Sequence, residues 1–120
     1  MKEEAVKYAL LFYPGELTDD DERLSEEQRH SIVEEFLALR EEEPGIYGAE
    51  QLQPGESATT VRMQDGKTLV TDGPFADTKE VLGGVWLLEA DNLDAALQLA
   101  ARVPVVRLGG AVEVRPIVER

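Results

Sequence analysis

Two short segments of this chain are apolar on both faces of an extended strand, and no other feature narrows the fold so far. Val85 to Ala90 reads Val-Trp-Leu-Leu-Glu-Ala, a near-continuous apolar run of the kind expected for a buried strand. In Val6 to Tyr13, Val6, Tyr8, Leu10 and Phe12 share one face, and Lys7, Ala9, Leu11 and Tyr13 share the other. Both faces turn apolar toward the end, which marks a central strand. Pro14 and Gly15 stop it. Strands like these need cover on both sides, and the remaining chain has few elements to supply it.

Two helices are expected. Ser25 with Gln28 three residues later forms a capping-box pattern. Ile32, Val33, Phe36 and Leu37, with Leu39 at the margin, then make an apolar stripe at helical spacing. Glu41 to Glu43 oppose the helix dipole, so the end should fray, and Pro44-Gly45 closes it. Asp91 or Asn92 caps the second helix, whose buried stripe is Leu93, Ala96, Leu97 and Ala100. Pro104 ends it. Tyr47 to Leu52 reads as a short strand and Ala111 to Val118 as the last one, with Val112 and Val114 inward and Pro116 near a strand end or sheet edge. Between them, Thr59 to Gln64 and Lys67 to Thr71 flank Asp65-Gly66, which suits a two-residue type I′ turn. That register sets Val61 opposite Val70, Met63 opposite Thr68 and Arg62 opposite Leu69. One face is apolar, so the hairpin should lie on a core.

The order is β, α, β, hairpin, β, α, β. Without the hairpin this is βαββαβ, an α+β, ferredoxin-like antiparallel sheet with two helices on one face. The other face would stay bare. A second copy packed sheet against sheet would cover it, giving a dimeric α/β barrel.

The 120 residues suit one domain spanning 1–120. Cysteine is absent, which excludes thiol catalysis, disulfides and thiolate metal sites and fits a cytoplasmic location. The opening MKEEAVKYALLFY is neither a signal peptide nor a membrane span. A net charge of −13 disfavours nucleic acid and anionic membranes as partners. No metal or cofactor is expected. A lone histidine is too few for a zinc site without carboxylates, and Asp19 to Glu22 lacks the spacing of a calcium loop. Gly83-Gly84 and Gly109-Gly110 lack the pattern of phosphate loops and read as turns.

The segment Asp72-Gly73-Pro74-Phe75-Ala76-Asp77-Thr78-Lys79-Glu80, followed by Leu82-Gly83-Gly84, resembles the signature of the DGPF branch of the YCII-related family. Lys7 to Leu11 resembles that family's opening strand, Leu52-Gln53-Pro54 through Ala58 to Arg62 its middle segment, and Val112 to Pro116 its closing strand. The resemblance implies a dimeric ferredoxin-like α/β barrel. It also implies a histidine–aspartate site, the histidine on the first helix and the aspartate near that helix's end. Here His30 lies about one turn too early; Glu34 falls nearer the first position and Glu43 nearer the second. The branch is often encoded beside extracytoplasmic-function sigma factors, which implies an association with regulation rather than a mechanism.

Each candidate site residue has a structural alternative. Asp72 to Phe75 can form a pocket wall, with Asp72 as acid, base or ligand acceptor and Phe75 meeting the ligand, or can be a rigid turn with Phe75 anchoring it in the core. Thr78, Lys79 and Glu80 can bind a ligand, with Lys79 meeting an anionic group, or form a solvated, salt-bridged loop. Arg62 can clamp a carboxylate or pair with Asp72 or Glu50. His30 can serve as a general base, or bond Glu34 or Glu26 at the margin of the buried stripe. Three functions follow: a small-molecule-binding homodimer or enzyme performing acid–base chemistry on a small polar substrate with Asp72, His30 and Arg62; an accessory protein that binds a regulator; and a purely structural dimer.

Overall fold

The computed structural model describes residues 5–15, 24–75 and 81–120. Its elements run β1 (Val6–Tyr13), α1 (Glu26–Glu42), β2 (Ile46–Gln51), β3 (Thr59–Gln64), β4 (Lys67–Asp72), β5 (Gly84–Ala90), α2 (Leu93–Arg102), α3 (Pro104–Arg107) and β6 (Ala111–Pro116). This is an α+β arrangement with three α-helices among the described residues, one more than the sequence pattern predicts. Val103 closes α2, and Pro104, expected only as a stop, opens α3 at its first position, where its missing N–H costs nothing.

Four strands form an antiparallel sheet in the order β2-β5-β1-β6. The two doubly apolar segments, β1 and β5, occupy its centre. Leu10 stands opposite Trp86 on one side and Val114 on the other. Pro116 ends the edge strand β6, where a missing donor is harmless. Tyr8, Leu10 and Phe12 of β1 and Trp86 and Leu88 of β5 are buried together with Leu39, Ala96, Leu99 and Ala100 of the helices, so α1 and α2 cover the same face. Phe36 fixes α1 to that face. Its ring centroid lies 6.1 Å from both Phe12 and Trp86, which themselves meet edge to face at 5.1 Å.

The capping box at Ser25 forms as the sequence indicates: its Oγ accepts the Gln28 N–H at 3.1 Å, and the Gln28 side chain accepts the Ser25 N–H at 2.8 Å. Asn92, one of the two alternatives, caps α2 by accepting the Ala95 N–H at 2.9 Å. The helix stripes are shifted from those expected. On α1 the inward residues are Ile32, Phe36 and Leu39, while Val33 and Leu37 are exposed. The aromatic cluster under Phe36 decides that rotation. Ion pairs from Glu35 to Arg107 and from Glu42 to Arg102 hold it. The end of α1 does not fray among the described residues: Glu42 is paired, and the Glu43 N–H bonds Leu39. On α2, Ala96, Leu99 and Ala100 are buried and Leu93 and Leu97 are not. Ala96 and Ala100 share the buried face with Leu99, and this rotation leaves Leu93 and Leu97 outward.

The hairpin keeps the expected register throughout, and β4 extends one residue further, to Asp72. Asp65 and Gly66 take φ of +52° and +76°, the left-handed pair that a type I′ turn requires. Its position overturns the expectation. β3–β4 forms a separate two-stranded ribbon, exposed from Val61 through Asp72, and among the described residues it does not rest on its own subunit's core. Gly83-Gly84 is likewise not a turn. Gly84 is the first residue of β5, and the Gly83 N–H bonds the Phe12 carbonyl at 2.8 Å. A side chain at Gly83 would meet the Pro14 ring.

Candidate functional site

The second face of the sheet carries Ala9, Leu11 and Tyr13 of β1 beside Leu87 and Val85 of β5, with Ala9 opposite Leu87 and Leu11 opposite Val85. None of these is buried, whereas Tyr8, Leu10 and Phe12 on the helix side all are. Charged residues border the patch: Lys7, Glu89, Glu113 and Arg115. Lys7 lies over the Tyr47 ring, its Nζ 5.6 Å from the centroid.

At the Tyr13 end of this face lies a cavity of about 490 Å³, open on one side. Leu52, Pro54, Pro74, Val81 and Leu82 supply apolar walls, and Tyr13, Gln53 and Ser57 bring the polar side chains. No charged side chain lines it among the described residues. Three local features build it. The Leu52 N–H bonds the Gly83 carbonyl at 2.9 Å, joining the ends of β2 and β5. A single 3-10 turn, Gly55–Ser57, reverses the chain and is tied by Ser57 Oγ to the Pro54 carbonyl at 2.7 Å. Gly73, at φ +96°, donates to the Ala58 carbonyl and accepts from Thr60 Oγ1, both at 2.7 Å, which clamps the root of the ribbon against the cavity.

The residues singled out from sequence are dispersed. Asp72 closes β4 and is exposed; it shares a ribbon face with Val70, while Arg62 lies on the other face. Strand alternation therefore points the two side chains apart. Arg62 does not pair with Asp72. Its guanidinium sits 5.5 Å from the centre of the Phe75 ring, a cation–π contact. Phe75 does not anchor the loop in the core, being 75% exposed. His30 is not at a buried margin either: its side chain is 75% exposed and its Nε2 lies 3.1 Å from Glu34 one helical turn on. Since α1 covers the sheet's other side, His30 is separated from the cavity. Thr78, Lys79, Glu80 and the acidic run Asp19 to Glu22 lie outside the described residues. No three described His, Asp or Glu side chains cluster as metal ligands would, and no described helix is long and apolar enough to cross a membrane.

Of the signature's described residues, Pro74 and Leu82 reach the cavity wall. Sequence reading passed over Leu52, Val81 and Leu82. Val81 and Leu82 carried a signal, two large apolar residues directly before Gly83-Gly84 in a stretch with no strand or helix pattern, whereas Leu52 reads as the end of a strand.

The architecture and the site can be set beside known proteins. An uncharacterized protein of Rhizobium meliloti (strain 1021) is 35% identical over 114 residues, covering 92% of this chain and 90% of that protein. The model of the YCII-related domain matches residues 6–120, from the first residue of β1 through the last strand. The match includes the cavity walls, the ribbon and both central strands, and on that ground the chain belongs to the YCII-related family.

Proposed function

We propose that the protein is a ferredoxin-like homodimer, two copies packed open face to open face as an α/β barrel in the cytoplasm, and that it binds a small molecule in the cavity beginning at Tyr13. The carrying observation is that Tyr13, on the same sheet face as the partly exposed patch of Ala9, Leu11, Val85 and Leu87, also lines that cavity. The strand order β2-β5-β1-β6, with α1 and α2 on one face, supports the fold. A volume of 490 Å³ lies within the range of small-ligand sites. The lining favours an uncharged ligand with an apolar body and one or two polar groups to meet Tyr13, Gln53 or Ser57. An anion would be repelled by a chain of net charge −13. Acid–base chemistry through Asp72 and His30 has less support, because neither lines the cavity.

The test is a thermal-shift screen of neutral aromatic and aliphatic compounds against the wild type and Leu52→Trp. Leu52 is partly exposed at the cavity wall, so the larger ring fills the space without disturbing the core. A ligand at a hundred times its Kd adds about 2.7 kcal/mol of stability. The wild type should respond and the variant should not. Equal responses in the two proteins would place binding elsewhere.

A further inference from the structure

Beyond its root, the ribbon β3–β4 packs on no other strand or helix to any extent among the described residues. Two paired strands are marginal alone in water, and these pack chiefly on each other. Val61, Met63 and Val70 form an apolar patch on one face, which Thr59, Thr68 and Asp72 complete, and are 60–69% exposed. The projection shows in the molecule's dimensions. The radius of gyration is 16.7 Å, against about 14 Å for a compact chain of this length.

Interface size indicates what the ribbon meets. The open sheet face, four strands about 4.8 Å apart and about 20 Å long, offers roughly 400 Å². A stable dimer covers about 800 Å² on each partner. One ribbon face of about 200 Å², contributed by each copy and received by each, makes up the difference. The ribbon also starts in the right place. Its root, clamped by Gly73 and Thr60, adjoins cavity residues Ala58 and Pro74. A two-fold axis that joins two open faces therefore brings both roots to the seam. The Val61–Met63–Val70 patch matches the cavity lining, which among the described residues carries no charged side chain, and the one charge on its face, Asp72, stands at the root end of the ribbon. The patch fits less well the exposed Val33 and Leu37 of α1, which stand among His30, Glu34 and Glu41.

We propose that β3–β4 is an exchanged arm: each copy lays its Val61–Met63–Val70 face across the mouth of the other copy's cavity, so that every ligand site is built from two chains. This rests on the homodimer reading above. The arm supplies the missing side of the open cavity, and binding and association become one event. An isolated subunit then holds no complete site.

The experiment uses the full chain, sedimentation velocity, and N-phenyl-1-naphthylamine as a neutral fluorescent probe. Val61→Lys with Met63→Lys alters side chains that lie in solvent within the subunit, so circular dichroism should be unchanged while the dimer dissociates and probe binding is lost. Leu52→Trp should remain dimeric and also lose the probe. Mixing the two should restore binding that neither shows alone, because the hybrid pairs one intact arm with one intact cavity. Because the chain has no cysteine, Met63→Cys mixed with Leu52→Cys gives a second readout independent of charge: mild oxidation should join the two chains. An arm variant that stays dimeric and binds the probe normally, failed complementation, or no cross-link between the cysteine variants would overturn the arm. A wild type that sediments as a single subunit would overturn the homodimer reading, and the arm with it.

Discussion

Glu35 and Arg107 are 72 residues apart in the chain, yet they form a two-pronged pair that joins α1 to α3, with Arg107 Nη1 donating to Glu35 Oε1 at 2.6 Å. The hydrogen bond from Arg107 holds the Glu35 carboxyl below its ordinary pKa; desolvation opposes this and the nearby charge assists it. The same bond raises the Arg107 pKa, so the guanidinium stays charged at any working pH. For a carboxyl whose folded pKa lies below its unfolded one, the stability contribution is complete above the unfolded value, about 4.3, and disappears as pH falls through the lowered folded value. Both side chains are about half exposed, so the pair contributes less than about 1 kcal/mol and is screened by salt. Glu35→Gln should therefore lower stability slightly at neutral pH and flatten the loss below about pH 5. Urea unfolding across pH at low and high salt would measure this, and an unchanged acid limb would mean the pair is energetically silent.

Among the elements, α1 depends most on its first turn. It carries Glu on much of its surface, and among its described residues only Leu39 is fully buried, so tertiary burial supports it less than it supports α2. The reciprocal bonds between Ser25 and Gln28 matter correspondingly more. Ser25→Ala should cost about 1 kcal/mol, which is a drop of roughly 4 °C in Tm for a chain of this size. Differential scanning calorimetry can resolve that change. A loss near zero would show that the start of α1 is held by packing instead. The ribbon presents the opposite case. Asp65-Gly66 and the cross-strand pairs specify its internal structure completely, and none of this specifies what it rests on.

The whole molecule is a slab of 52 × 45 × 18 Å, with helices on one side of its sheet and an apolar patch on the other. In the dimer proposed here, unfolding and dissociation are coupled, so Tm should rise with protein concentration. Leu11→Glu, in the centre of the patch and opposite both Val85 and Glu113, should abolish that dependence by placing a charge where the two sheets meet. Thermal melts over a hundredfold range of concentration would decide this. A wild-type Tm independent of concentration would leave the patch without a partner.

Local chemistry was legible in the chain itself. The strand runs around Leu10 and Trp86, the caps at Ser25 and Asn92, the I′ turn at Asp65-Gly66 and the hairpin register all follow from contacts within a few residues or from strict alternation, which a linear sequence displays directly. Tertiary structure alone decided which way α1 turned about its axis, that Pro104 begins a helix, that Arg62 faces Phe75 rather than Asp72, and that Leu52, Val81 and Leu82 enclose a space. Each of these depends on side chains far apart in the chain competing for the same volume. Periodicity shows that a residue is apolar and which neighbours share its face; only the packed arrangement determines whether that face meets a core, a cavity or open water.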